Sequence, residues 1–371
     1  MQGNLLLEKS GGGEHQLVGA VVIFEDDRPA ICSNFVAKVE LAEGMDSSFW
    51  RYVHGAAYSV RLQYGSIKQT SGIQNLDQDA YFNERAPFPP SVEQSAIAAF
   101  LDRETGQIDA LVAEQERLMA LLKEKRQAVI SQAVTKGLNP NAKMKPSGVE
   151  WLGEVPAHWA VKKLGHIAKL QGGFAFSSDS FRDEGIPIVR MNNLKRGSLD
   201  LSDATYVPLE NCTDNYSLGF GDLVWGMSGS IGETGSLGNY ARVRRCDLPA
   251  QLNQRVGRFQ MLSGAFSVDF LTYIIQTKMF SEQILLQVTG TAQFNVSSDQ
   301  VEGAKVPCPP SSEQSQITTY LDSKISRFDT LTGEAERAIA LLKERRAAMI
   351  SAAVTGKIDV RGLSDPVGKA A

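Results

Sequence analysis

Residues 89–135 read PPSVEQSAIAAFLDRETGQIDALVAEQERLMALLKEKRQAVISQAVT, and residues 309–355 read PPSSEQSQITTYLDSKISRFDTLTGEAERAIALLKERRAAMISAAVT. Laying Pro89 on Pro309 carries Thr135 onto Thr355 without a gap, with 26 of 47 positions identical. The chain therefore contains an internal duplication, and this stretch is its best-preserved part. Ser91 with Gln94, and Ser311 with Gln314, have the spacing of a helix capping box after a proline pair. Apolar residues follow at helical steps: Ile97, Leu101, Ile108, Leu111, Leu118 and Leu122 in the first copy, and Ile317, Leu321, Phe328, Leu331, Leu342 and Ile350 in the second. The pattern predicts two long helices, residues 89–137 and 309–356, each with an apolar stripe of coiled-coil type. At 1.5 Å per residue each could reach roughly 70 Å. Such a stripe needs a partner, and the other copy is the economical one.

Composition bounds what surrounds these helices. At 371 residues there is room for two or three domains, and 43% hydrophobic with 22% charged residues is ordinary for a globular chain. Cys32, Cys212, Cys246 and Cys308 are scattered without a CxxC pair, which argues for reduced thiols in a cytoplasmic protein and against a zinc site. His15, His54, His158 and His166 have no ligand spacing, so no metal is expected. There is no apolar run of membrane-spanning length, so no membrane partner is expected. The net charge of −4 means that any nucleic-acid contact must use local patches or share phosphate neutralisation with a partner.

Taken in order, residues 1–88 read as mixed α/β, with strands at Leu5 to Leu7, Leu17 to Phe24 and Ala30 to Val39 and a helix at Ser47 to Val60. After the first long helix comes a polar linker, 138–150. A second globular domain, 151–308, follows, with strands at Ile186 to Met191, Leu223 to Trp225 and Val256 to Phe259 and a helix at Ser267 to Leu286. The second long helix and a tail, 357–371, complete the chain. The duplication extends past the helices: GNLLLEKSGGG from Gly3 parallels GDLVWGMSGS from Gly221, and Asn75 matches Asn295 in the register set by the helices. Trp151 to Phe220 has no counterpart before Gly3, so the first domain is expected to be cut short, with Met1 inside it. Compact domains tend to bring their termini together. A domain that leaves the end of one helix and enters the start of the next therefore makes the helices antiparallel, with a pseudo-two-fold relation between the halves. The expected fold is α+β: two α/β domains, the first incomplete, and two long antiparallel helices.

At this point the sequence resembles the specificity (S) subunits of type I restriction–modification systems. The resemblance is carried by the PPSVEQ and PPSSEQ helix starts, the LLKEKR and LLKERR stretches, SGVEWLGEVPAHW (Ser147 to Trp159) and AAVTGKIDVRG (Ala352 to Gly362). It implies two target-recognition domains that read the halves of a split double-stranded DNA sequence. It also implies helices that set their spacing and dock two methyltransferase (modification) subunits. Those partners would hold S-adenosylmethionine, and restriction subunits using ATP and Mg can join them. The chain itself is expected to be non-catalytic and to hold no cofactor. It has no GxxxxGK[ST], no Asn-Pro-Pro-aromatic methyltransferase motif and no convincing nuclease carboxylate cluster. A second reading stays open, a truncated scaffold or decoy that binds the methyltransferase or another S chain without reading both half-sites.

Candidate DNA contacts follow from base-edge chemistry, in which Arg pairs with guanine and Asn or Gln with adenine. VRMNNLKRGS offers Arg190, Asn192, Asn193, Lys195 and Arg196 at a strand end. Ser228 and Ser230 offer hydroxyls to phosphate, and Ser10 to Gly13 echoes their loop. Gln293 and Asn295, echoed by Gln74 and Asn75, either face DNA or cap a turn. Arg242, Arg244 and Arg245 read as a solvated face or a phosphate patch, and Phe174 and Phe176 as core.

Overall fold

The computed structural model describes residues 3–13, 16–232, 235–286, 288 and 294–361. The fold is α+β, and the chain divides into two compact units, one formed by Met1–Ala120 with Leu331–Ala371 and the other by Leu121–Thr330. Both long helices are present, Ser91–Lys136 and Ser311–Val354, and each contributes to both units. No helix among the described residues is long and apolar enough to cross a membrane.

In the first unit, strands Val21–Ile23, Leu5–Glu8 and Val36–Val39 form an antiparallel sheet in that order. Ser10–Gly11, Ile73–Leu76 and Ile67–Ser71 form a second one. Of the expected strands over Leu17 to Phe24 and Ala30 to Val39, only these short ends are paired, because the Gly19 and Pro29 regions turn away. Helix Ser47–Ser59 is capped by Asp46, whose carboxylate accepts from Phe49 N. Its buried face of Phe49, Trp50, Tyr52 and Val53 packs with Ile97 and Leu101 of the first long helix and Ile350, Ala353 and Val354 of the second.

The second unit holds the antiparallel sheet Ala168–Gly172, Val256–Met261, Leu223–Gly226, Tyr240–Arg242, in that order. A smaller sheet sets Ile186–Val189 between Thr205–Val207 and Gln251–Leu252. The expected linker 138–150 is more ordered than its composition suggests. Met144–Pro146 pairs with Glu154–Pro156, and Val149 is already buried. Val149, Leu152, Val155 and Trp159 pack with Ile130, Ala133 and Val134 of the first long helix and Ile317, Leu321 and Ile325 of the second. Trp159 is fully buried, and its indole N–H donates to Glu313 Oε2 at 2.9 Å.

Within each unit the long helices run antiparallel. In the first, residues 97–101 share a core with 350–354 while Arg346 reaches Asp109. In the second, residues 130–134 share a core with 317–325 while Arg126 reaches Asp329. The least exposed positions form a seam that steps by three and four, through Ile108, Val112, Gln115, Met119 and Leu122, and through Phe328, Thr332, Ala335, Ile339 and Leu342; Ile108, Leu122 and Ala335 are buried and the others half-buried. This corrects part of the predicted stripe. Ile97, Leu101, Ile108, Leu122, Ile317, Leu321 and Ile350 are buried, and Phe328 and Leu342 partly so, but Leu111, Leu118 and Leu331 are 53%, 40% and 39% exposed. They stand one position off the seam.

The capping-box reading is corrected as well. Ser91 and Ser311 are the first helical residues, and Gln94 and Gln314 turn away from them. Gln94 is fully buried. Its amide accepts from Asp46 N at 2.9 Å and donates to Gly44 O and Pro89 O. Gln314 accepts from Ser267 N at 2.7 Å and donates to Ala265 O and Pro309 O. Each long helix is thus clamped at its start to the N-terminus of the domain helix in its own unit. Tyr52 with Asp102 at 2.7 Å, and Tyr273 with Asp322 at 2.5 Å, repeat a second tie one helical stretch further on.

Candidate nucleic-acid interface

In the second unit, four loops meet at one edge of the sheets. The loop after Ile186–Val189 carries Arg190 to Arg196. Arg196 Nη2 donates to Gly232 O, joining it to the loop after Ser228–Gly229. Asn253 N donates to Val189 O, and Met227 N to Arg255 O, which brings in the turn Asn253–Arg255. Ser228–Gly229 pairs antiparallel with Phe294–Asn295, setting Ser228 opposite Asn295, and Val296 N donates to Met227 O. The exposed polar side chains at this edge are Asn192, Lys195, Arg196, Ser230, Gln254, Arg255 and Asn295. Lys195 Nζ donates to Asn192 O at 3.0 Å and Arg196 Nη2 to Gly232 O, so these two side chains are held against neighbouring loop carbonyls while remaining exposed.

Several predicted residues have structural duties instead. Asn193 is 1% exposed. Its Oδ1 accepts from Arg190 N and its Nδ2 donates to Asp200 O, so its amide organises the loop and faces no ligand. Arg190 is partly buried, with Nε enclosed and unpartnered. Ser228 is buried under the strand pair. Gln293 lies outside the described residues. Gln254 and Arg255 went unread in the sequence. The signal that could have found them is a polar turn between two apolar strands, LNQRV, similar in type to the 190–196 loop.

The basic run is largely engaged. Arg242 pairs with Asp269, Arg245 stacks on Phe220 at 4.7 Å, and Arg244 pairs with buried Asp247. Burial pushes the Asp247 carboxyl up, but its contacts with Arg244 outweigh this and hold it below the usual range. Phe176 is buried, as expected for a core residue, but Phe174, which packs edge-on against it at 4.9 Å, is 40% exposed, so the core reading is corrected for Phe174.

The first unit repeats one element of this edge. Ser10–Gly11 pairs with Gln74–Asn75, setting Ser10 opposite Asn75 just as Ser228 stands opposite Asn295. Asn75 is exposed and its Oδ1 accepts from Ser10 Oγ at 2.5 Å. Gln74 is 4% exposed, accepting from Val18 N and donating to Gly13 O, so it holds the glycine loop closed.

Comparison with known proteins agrees with this architecture. Residues 156–339 match the family described as "Type I restriction modification DNA specificity domain". The chain is 26% identical over 313 residues to the type I restriction enzyme MjaVIII specificity subunit of Methanocaldococcus jannaschii, covering 83% of this chain and 70% of that one. It is 31% identical over 180 residues to the Escherichia coli EcoAI specificity subunit, covering 48% of this chain and 30% of that one. Its fold matches a chain from a structure of a type I R-M system, described for complex assembly and conformational transition. The TM-score is 0.73 at 15% identity, over 96% of this chain and 83% of that one. With the duplicated helices, the clamped domains and the shared sequence taken together, the chain carries a type I restriction modification DNA specificity domain and is similar over most of its length to a type I restriction enzyme specificity subunit.

Proposed function

We propose that this chain reads DNA sequence for a type I restriction–modification complex, contacting a bipartite double-stranded target and docking modification subunits that carry the methyl-transfer chemistry. The observation that carries the reading is the convergence of Asn192, Lys195, Arg196, Gln254, Arg255 and Asn295 on one edge of the second unit. Arginine and amide side chains are the groups that pair bidentately with guanine and adenine edges, and Lys195 and Ser230 suit phosphate. The Ser10–Asn75 pair marks the matching edge of the first unit, assigned to the second half-site. The long helices serve as spacer and docking rod, S-adenosylmethionine and ATP with Mg sit on the partner subunits, and the complex works in the cytoplasm. The test is co-expression with cognate modification subunits and mapping of methylated adenines. A split motif is expected. Asn192→Ala with Arg196→Ala should relax one half by about 1–3 kcal/mol of discrimination per lost contact. An unaltered motif would remove these residues from the interface, and methylation at no defined sequence would overturn the function.

A further inference from the structure

Trp225 and Tyr240 stand opposite each other on neighbouring strands of the four-stranded sheet in the second unit, so their side chains share one face. A cleft of about 600 Å³ opens between that face, the first long helix and helix Lys278–Leu285. Its walls carry Lys123 and Arg126 of the long helix, Lys278 at the start of the short one, and Arg196 of the edge loop. Among the described residues no aspartate or glutamate lines it, although the whole chain has a net charge of −4. Arg126 also pairs with Asp329, and Lys278 approaches Glu282 at 3.6 Å, but neither carboxylate is part of the lining. The Lys278 side chain is 83% exposed, so its pair is screened and costs little to give up.

Two neutral donors join these cations. Trp225 is 2% exposed, and its indole N–H donates to no group among the described residues. The indole nitrogen lies beside Gly238, where an added Cβ would stand 3.7 Å from it, and Gly238 also lines the cleft. The Tyr240 hydroxyl likewise has no hydrogen-bond partner among the described residues. Burial pushes it up to about 12 against the pull of Arg126 and Arg196, so it stays a donor at neutral pH. Donors on side chains this enclosed are costly to leave without an acceptor. Cations, an N–H and an O–H with no acid among them suit an anion that accepts hydrogen bonds. Arg196 indicates where that anion comes from, because it belongs both to the polar edge and to the cleft. Beyond the donors the floor is apolar, with Phe280 and Ile284, and fits the carbon face of a sugar.

We propose that this cleft binds a backbone phosphate of DNA adjoining the half-site at the polar edge, with Lys123, Arg126, Arg196 and Lys278 supplying charge and Trp225 Nε1 and Tyr240 Oη donating to the phosphate oxygens. The attached sugar packs on Phe280 and Ile284. The contact reads no base. It fixes the register and angle at which the edge meets the duplex. The first long helix becomes part of the DNA surface, since it carries two of the four cations. Apolar walls limit the screening of those charges by salt. The proposal rests on DNA reading by the second unit.

The test uses the full chain with its cognate modification subunits and a duplex carrying the motif they methylate. Lys278→Ala should weaken binding and make the slope of log K on log salt shallower by about 0.9. Tyr240→Phe keeps the ring and removes no charge. It should weaken binding about tenfold, the worth of a hydrogen bond to a charged group, with the slope unmoved. Neither should alter the methylated motif. Neutral methylphosphonate placed at successive positions beside the half-site should reveal one position that weakens the wild-type complex and not the Lys278→Ala, Tyr240→Phe double variant. The proposal fails if affinity and slope both stay as they were, if no such position exists, or if the motif changes, which would make the cleft a reader of bases. It fails also if the variants release the modification subunits. Inorganic phosphate or ATP bound through Lys278 and Tyr240, with duplex binding indifferent to both, would assign the cleft to a free anion and overturn the DNA contact. A wild-type complex that methylates no defined sequence removes the DNA reading and this site with it, whereas the failures above leave the DNA reading standing.

Discussion

Arg346 of the second long helix donates from Nε to Asp109 Oδ1 at 2.8 Å and from Nη2 to Oδ2 at 3.2 Å. Their counterparts in the repeat, Asp329 and Arg126, make the same pair with the helices exchanged. Asp109 and Arg346 are 55% and 37% exposed, so solvent screens most of the attraction. Arg346→Ala should cost about 0.5 kcal/mol. Asp109→Arg alone places like charges together and should cost more, while the swap Asp109→Arg with Arg346→Asp should recover most of it. A double-mutant cycle by urea denaturation would measure this.

The glutamine clamps should matter much more. Gln314→Ala removes three hydrogen bonds and leaves the Ser267 N–H and the Ala265 and Pro309 carbonyls without partners in a buried setting. A loss of about 3 kcal/mol is expected. Amide exchange should locate it at the start of helix Val268–Ile274 and the first turn of the second long helix. Gln94→Ala should act likewise at the start of helix Ser47–Ser59 and leave the second unit unaltered.

His54 predicts an acid-side sensitivity in the first unit. Burial lowers its imidazole to about 4, and its Nδ1 lies 2.8 Å from Tyr81 Oη. Between pH 6.5 and 4 the unfolded chain binds a proton that the folded chain refuses, so stability falls as pH drops through that window. His54→Phe should flatten this portion of the stability–pH curve. An imidazole titrating near its ordinary value in the folded protein, read by NMR, would contradict it.

Gly173→Ala tests the polar edge through its backbone. A Cβ there would lie 2.3 Å from Asn253 O and 2.4 Å from Leu252 O, both main-chain atoms. The turn Asn253–Arg255 must move. A destabilisation of about 1–3 kcal/mol is expected, together with weakened DNA binding that raised salt does not explain. Lys195→Ala is the contrast: unchanged stability and a salt slope reduced by about 0.9.

The helices and their antiparallel sense were legible because duplication doubled the signal and a compact domain with neighbouring termini between them left one direction open. The seam was only half legible. Leu111 and Leu118 are the more hydrophobic residues, but the inward-facing repeat runs through half-buried Val112, Gln115 and Met119, one of them polar. Residue type outvoted phase. Gln94 reads locally as a helix cap, and only tertiary structure shows the 48-residue reach to Asp46. The polar edge failed similarly. Arg190 and Asn193 have the right chemistry for bases, yet a tight turn needs its own acceptor and uses the asparagine for it. Gln254 and Arg255 became visible once strand pairing placed their turn beside Met227.

The clamps also record how the two copies have drifted. The numbering offset between equivalent positions is 218 from Leu6 to Val224, 221 from Tyr52 to Tyr273, and 220 from Gln94 to Gln314. Insertions and deletions have accumulated between these landmarks, in the loops, while no net change has been tolerated from Pro89 to Thr135. A one-residue indel in a helix would rotate everything beyond it by about 100°. It would turn Asp109 away from Arg346 and the seam into solvent. The domains have thus been lengthened and shortened relative to one another, and the helix between Gln94 and Thr135 is the reading frame that every such change has left in phase.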